Sequence, residues 1–276
     1  MTTETFNIKV AGSMPYARLN TFIWDESEEM PKVKRPLIFM CPGGGYEMTS
    51  DREADPIALQ FVAMGYNVAI LRYSVAPAEY PVALNEAFYA LKLIYKKSEE
   101  WSVDINKIYV QGCSAGGHLA ASIGMFWHED KELIKPARMI LCYPVITSGE
   151  FAHRGSFEAL LKSCYTPEML KRNSLELQVT ENTPKAFIWH TYTDDCVPVE
   201  NSLLLIQSMK KYDIPVEQSL AFGDGQNDLD MLNAAGAGFA MANAPEEVKA
   251  AAPFVTPVDN EHQGLLAVLR KYFDEK

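Results

Sequence analysis

The sequence has no long basic run, and no apolar stretch reaches the ~18–20 residues that a membrane helix requires. It carries 25 Lys and Arg against 36 Asp and Glu, a formal net charge of −11. Contacts to phosphate need clustered Lys and Arg, so nucleic acid and anionic membrane are excluded as main partners. Cysteine is sparse: the five residues Cys41, Cys113, Cys142, Cys164 and Cys196 form no CxxC pair and are odd in number. That pattern fits reduced thiols rather than a disulfide framework. The first residues, MTTETFNIKV, lack a charged head followed by an apolar segment, so no secretory signal is expected. A cytoplasmic location is the expectation. There is no internal repeat and no low-complexity linker.

What is present is apolar content of 48% over 276 residues, enough for one large α/β domain or a domain with a smaller appendage. Short apolar runs alternate with longer helical stretches, the pattern of an α/β fold with a mostly parallel sheet and helices on both faces. Strands are expected at 36–40 (PLIFM), 66–73, 108–111, 138–143, 185–189 and 216–222. Helices are expected at 55–64, 82–100, 118–127 and 199–212, with apolar residues such as Leu84, Ala87, Phe88, Leu91 and Ile94 sharing one face. Between about 144 and 184 the periodicity weakens, and the segment reads as a lid-like insertion over the carboxyl ends of the strands.

Gly112, Ser114 and Gly116 form G-x-S-x-G between an expected strand and an expected helix. A sharp strand-to-helix turn holds the serine in strained geometry, and only small residues fit two positions to either side. The helix N-terminus that follows aims N–H groups at developing negative charge. Upstream, Gly43, Gly44 and Gly45 follow another strand directly and offer unblocked N–H donors. Gly44 and Gly45, with the Ala115 N–H after the serine, are the candidate oxyanion hole. Asp194, past the strand KAFIW in HTYTDDCVP, is the candidate acid that orients a histidine. Its neighbour Asp195 is the alternative.

CPGGGY, GCSAGGHLA and HTYTDDCVPVENS together resemble the small microbial esterase branch of the α/β hydrolases, related to acetyl-xylan esterases, over about 36–216. In that family the acid stands three positions before a Val-Pro pair, which selects Asp194. The resemblance implies an α/β-hydrolase fold, a serine esterase acting on small acyl esters such as acetylated sugars through an acyl-enzyme, and no metal or cofactor. A small-molecule ester is then the expected partner, with a homodimer open.

The family next supplies a histidine loop. This chain instead reads AFGDGQNDLDMLNAAGAGFAMANAPEEVKAAAPFVT, which resembles the C-terminal end of haloacid-dehalogenase-type phosphatases of the sugar-phosphatase branch, over about 220–273. There the acids of G-D-G-x-N-D sit on Mg²⁺, which would map to Asp224 and Asp228. A phosphatase of that type also needs an aspartate nucleophile in a D-x-D-G-T-like motif, and the chain has none. The expected organisation is an α/β-hydrolase-like domain over 1–216 joined to a haloacid-dehalogenase-like segment over 217–276, packed on and continuing the same sheet. Ala237–Met241 would be one further strand and Glu261–Tyr272 a final helix.

Five histidines are available. His118 follows the elbow on its helix, His190 reads as buried and hydrogen-bonded, and His128 and His153 lie at a helix end and in the insertion. Only His262 keeps the order Ser, Asp, His, so it is the candidate base. Without a histidine the Ser114 hydroxyl lacks a general base and esterase activity is impaired. The alternatives are a Mg²⁺-dependent phosphatase remnant and a catalytically silent chimeric scaffold.

Overall fold

Two antiparallel strands that the sequence pattern did not announce, β1 (Thr2–Asn7) and β2 (Arg18–Ile23), open the chain. The architecture is taken from a computed structural model in which residues 1–29, 33–191, 194–212, 214, 220–234, 237–264 and 267–268 are described. After β2 come β3 (Arg35–Cys41), α1 (Asp55–Ala63), β4 (Asn67–Arg72), α2 (Val82–Lys97), β5 (Val103–Cys113) and α3 (Ser114–Phe126). The chain continues through β6 (Arg138–Cys142), α4 (Arg154–Leu161), α5 (Pro167–Asn173), β7 (Ala186–Trp189) and α6 (Glu200–Lys210). The C-terminal part holds β8 (Leu220–Gly223), α7 (Leu229–Ala234), β9 (Ala237–Ala240), α8 (Glu246–Ala251) and β10 (Phe254–Val255).

Seven strands form one sheet in the order β1-β2-β4-β3-β5-β6-β7, parallel from β4 through β7 and antiparallel at β1 and β2. The central strands are covered on both faces, which is why β4 reads as an unbroken buried run. Side chains alternate between the two layers with the period of two that a strand imposes. Leu37, Phe39, Cys41, Ala69 and Leu71 pack into one core with α2 and α3 residues such as Leu91 and Leu119. Ile38, Met40, Val68 and Ile70 pack into the other with Ala58 and Val62 of α1. Helix α1 begins with Asp55 in its first turn and a proline at its start, and α2 ends in Lys96 and Lys97, each charge matched to its helix end.

Register is what assembles the site. Cys41 pairs with Gly112, and Cys113 with Cys142, while Cys142 pairs with Trp189. The glycine turn after β3, the serine turn after β5 and the loops after β6 and β7 therefore emerge side by side at the carboxyl edge, where open α/β sheets place their ligands.

The expected continuous sheet is corrected. Strands β8, β9 and β10 form a separate three-stranded parallel sheet, and among the described residues no ladder joins β8 to β7. The two sheets meet through side chains instead: Phe187 and Trp189 of β7 pack against Phe222, Ala237, Phe239, Met241 and Val268. Of the strand expected at 216–222, residues 216–219 lie outside the described residues, as does half of the helix expected at 261–272. The segment 144–184 contains α4 and α5.

Candidate active site

Ser114 is the first residue of α3 and has φ 52°, a left-handed conformation that costs a non-glycine residue about 1–3 kcal/mol. The surrounding packing enforces it. A Cβ on Gly112 would lie 2.1 Å from the Gly116 carbonyl oxygen, and one on Gly116 would lie 2.0 Å from that of Cys41. Both glycines are thus demanded by backbone, which no rotamer change can relieve. Every residue of α3 from Ala115 to Phe126 is buried, whereas Ser114 is half-buried. Its hydroxyl has no hydrogen-bond partner among the described residues.

The glycine turn lies against this serine: a Cβ on Gly43 would stand 3.1 Å from that of Ser114. Gly44 and Gly45 have φ 131° and 65°, and a Cβ on Gly44 would meet the Met48 carbonyl oxygen at 2.3 Å. The Gly43 carbonyl accepts from Ser50 N–H at 2.8 Å, and the Gly44 carbonyl accepts from Glu47 and Met48 N–H at 3.0 and 3.1 Å. The Gly43 N–H donates to Glu53 Oε2 at 2.7 Å. What is left without an acceptor among the described residues is the N–H groups of Gly44 and Gly45. Gly44, Gly45 and Ala115, the last in the first turn of α3, are the donors available to an oxyanion.

Asp194 sits half-buried in the loop after β7. Its Oδ1 accepts the N–H groups of Cys196 and Val197, both at 2.9 Å, and its Oδ2 lies 3.6 Å from His190 Nε2. Asp195 is exposed. His190 is itself buried and bonded on both nitrogens, to Ser202 Oγ and the Val197 carbonyl, and burial lowers its pKa below the usual imidazole value. It orders the loop.

His262 is not brought to this set. Its Nδ1 and backbone N–H both bond to Asp259, its side chain is 73% exposed, and no hydrogen bond or ion pair joins it to Ser114 or Asp194. Among the described residues none of the other imidazoles is hydrogen-bonded to Ser114, and of them only His190 is paired with Asp194. His118 is buried between Tyr46 Oη and the Asn173 carbonyl, each at 2.9 Å, and desolvation pushes its pKa down to about 4. His128 is exposed beside Trp127. His153 caps α4, bonds Ser156 Oγ at 2.8 Å and stands 3.7 Å from Cys196 Sγ.

Sequence reasoning missed three groups here. Glu53 also accepts from Tyr143 Oη at 3.2 Å, so one carboxylate links the glycine turn to the loop after β6. Ser156 places its hydroxyl 4.0 Å from where a Cβ on Gly45 would be, so the insertion reaches the glycine turn through α4. Only the unclaimed acid in DREADP hinted at any of these.

The acids of the C-terminal segment do not fit a Mg²⁺ site. Asp228 is buried, and its Oδ2 accepts the backbone N–H groups of Asp224 and Gly225, both at 2.7 Å. Asp224 Oδ2 accepts from Asn243 Nδ2 at 3.3 Å. An ion that demands near-octahedral oxygen ligands finds too few free oxygens here. Among the described residues no group of three or more His, Cys, Asp or Glu side chains is arranged to hold a metal. No helix there is long and apolar enough to cross a membrane.

The family model for the alpha/beta hydrolase fold matches residues 38–193, more than half of the chain. The chain belongs to this family. A second family, the haloacid dehalogenase-like hydrolases, matches residues 203–269, so two families are joined in one chain. The crystal structure of an acetyl ester-xyloside bifunctional hydrolase from Caldicellulosiruptor lactoaceticus is 35% identical with a TM-score of 0.67, covering 75% of this chain and 76% of that one. Endo-1,4-beta-xylanase B of Butyrivibrio fibrisolvens is 34% identical over 195 residues, 66% of this chain and 31% of its own. Phosphatase YwpJ of Bacillus subtilis is 49% identical over 53 residues, 19% of each. The chain therefore spans a third or less of these two curated relatives. Its α/β-hydrolase fold is shared with the solved Caldicellulosiruptor lactoaceticus hydrolase.

Proposed function

We propose that this protein is a serine carboxylic-ester hydrolase acting on small acyl esters, acetylated sugars among them. One observation carries the reading: a strained, half-buried Ser114 stands against a glycine turn whose N–H groups at Gly44 and Gly45 are unclaimed among the described residues. In this mechanism Ser114 Oγ attacks the ester carbonyl, and Gly44, Gly45 and Ala115 N–H receive the charge on the carbonyl oxygen. The alcohol leaves with a proton, and water then releases the acid from the acyl-serine. The acetyl ester named for the Caldicellulosiruptor lactoaceticus hydrolase supports the choice of acyl group.

Asp194 and His262 are the acid and base of the proposed set, but His262 is held by Asp259 in the geometry above. Proton removal from Ser114 then falls to solvent, and turnover is slow. The test is hydrolysis of p-nitrophenyl acetate by the parent, Ser114→Ala and His262→Ala. We expect Ser114→Ala to remove enzymatic turnover and His262→Ala to change it by less than about twofold. Undiminished hydrolysis by Ser114→Ala would overturn the reading, and a large loss in His262→Ala would show that the imidazole reaches the serine.

The match over 203–269 raises a second reading, a Mg²⁺-dependent phosphatase remnant, against which stand the N–H groups that already occupy Asp228. Metal-dependent release from p-nitrophenyl phosphate supports it, and silence on both substrates leaves a chimeric scaffold.

A further inference from the structure

We propose that Glu53 is a positioning residue that fixes the oxyanion turn by clamping the Pro42–Gly43 peptide and tying it to the loop after β6. The inference rests on the esterase reading for its effect on rate, though not for the clamp itself. The peptide is gripped at both ends. Tyr73, fully buried, donates its hydroxyl to the Pro42 carbonyl at 2.6 Å, and Glu53 Oε2 accepts the Gly43 N–H at 2.7 Å. Glu53 Oε1 accepts from Tyr143 Oη at 3.2 Å. Tyr143 in turn stands two residues before Val145, whose N–H donates to the Ser114 carbonyl at 3.1 Å.

One carboxylate thus touches the turn that supplies the donors and the loop that holds the nucleophile's backbone. By taking the Gly43 N–H it leaves the next two N–H groups as the unclaimed ones. With Tyr73 it also sets the plane of the Pro42–Gly43 peptide, one peptide before the one that carries the Gly44 N–H. Space confirms the closeness: a Cβ on Gly43 would lie 2.6 Å from Glu53 Oε2. The role needs an acceptor on one oxygen and a partner for Tyr143 on the other. A glutamine can supply both, its Oε1 taking the Gly43 N–H and its Nε2 donating to Tyr143 Oη. An acid or base role would not survive that change.

Glu53→Ala, Glu53→Gln and Tyr143→Phe are compared with the parent by kcat and KM on p-nitrophenyl acetate, and by hydrogen exchange of peptides covering 41–50. Removing an oxyanion donor outright costs ~10²–10³ in kcat, so displacing the turn in Glu53→Ala should lower kcat by ~10–100-fold with KM within about threefold. Exchange over 41–50 should rise at least about threefold in Glu53→Ala. Glu53→Gln should restore both readouts, and Tyr143→Phe should fall between. An unchanged kcat and exchange in Glu53→Ala, or a Glu53→Gln as slow as Glu53→Ala, overturns the clamp. If the parent shows no ester turnover, the esterase reading fails while exchange alone decides the clamp: a rise in Glu53→Ala reversed in Glu53→Gln supports it, and no rise overturns it.

Discussion

Two glycine-led turns, each between a strand and a helical segment, show what makes such a turn a site. After β5, Gly112–Gly117 turns Ser114 outward and leaves its hydroxyl without a partner among the described residues. After β8, Gly223–Asp228 turns an acid inward, where Asp228 absorbs the N–H groups of Asp224 and Gly225. The first turn stores strain and keeps its donors open. The second satisfies itself, as a capping acid does at a helix start. Both are short, glycine-rich and polar, so the difference lies in whether the turn's own side chain consumes the amides a ligand would need.

The largest break in that comparison is expected at Gly116. A Cβ there meets two backbone oxygens, those of Cys41 at 2.0 Å and Pro42 at 2.5 Å. Neither can rotate away, so Gly116→Ala must displace α3 from β3. We expect a loss of about 3 kcal/mol or more, at the upper end of overpacking costs. Urea unfolding monitored by tryptophan fluorescence reads it. A Gly116→Ala chain within about 0.5 kcal/mol of the parent would show that the elbow is not sterically forced.

Acid should separate the two regions next. His118, on the helix that the serine turn opens, has a folded pKa of about 4, below the ordinary 6.5, because burial disfavours its cation. The folded state therefore binds fewer protons, and this contribution is fully present above the unfolded pKa and lost as pH falls from 6.5 towards 4. Its size is about 3 kcal/mol at most. Asp228 responds with the opposite sign. Burial raises its pKa above 3.8, so the folded state there holds a proton more readily and is relieved as pH falls. Hydrogen exchange at pH 7 and pH 5 should show α3 opening with acid and the 220–234 segment not. His118→Gln should flatten the acid loss. Parallel acid slopes in both regions, or an unflattened slope in that variant, would sink this account.

How much of this was legible depends on how local each cause is. The elbow could be read because its steric demands fall within five residues, Gly112 to Gly116, and the glycine turn because three glycines in a row have few other uses. The parallel core was legible from its unbroken apolar runs, such as 68–71. Strands β1 and β2 were not, since TTETFN has no buried position, and Gly12 and Pro15 lie within a longer connection to RLNTFI rather than forming a two-residue hairpin turn. Glu53 was illegible because its partners, Gly43 and Tyr143, are 10 and 90 residues away. The separation of the sheets was hidden for a related reason. Nothing in the letters of KAFIW or LAFG states whether β7 and β8 will pair by backbone or only touch by side chain. His262 kept the order of a triad, and order says nothing about reach.

The smallest effect tests the second turn directly. Asp228→Ala removes the buried acceptor of two partly buried N–H groups, and leaving such donors unsatisfied costs about 1 kcal/mol, the low end of the range for buried groups. The loss should be confined to the small sheet, because β8 and β9 meet β7 through Phe187, Trp189, Phe222 and Phe239 rather than through a shared ladder. Exchange should therefore quicken over 220–240 while Ser114-dependent ester turnover holds. Were turnover to fall in step with that opening, the serine turn would depend on the C-terminal segment, and the two turns could no longer be treated as independent.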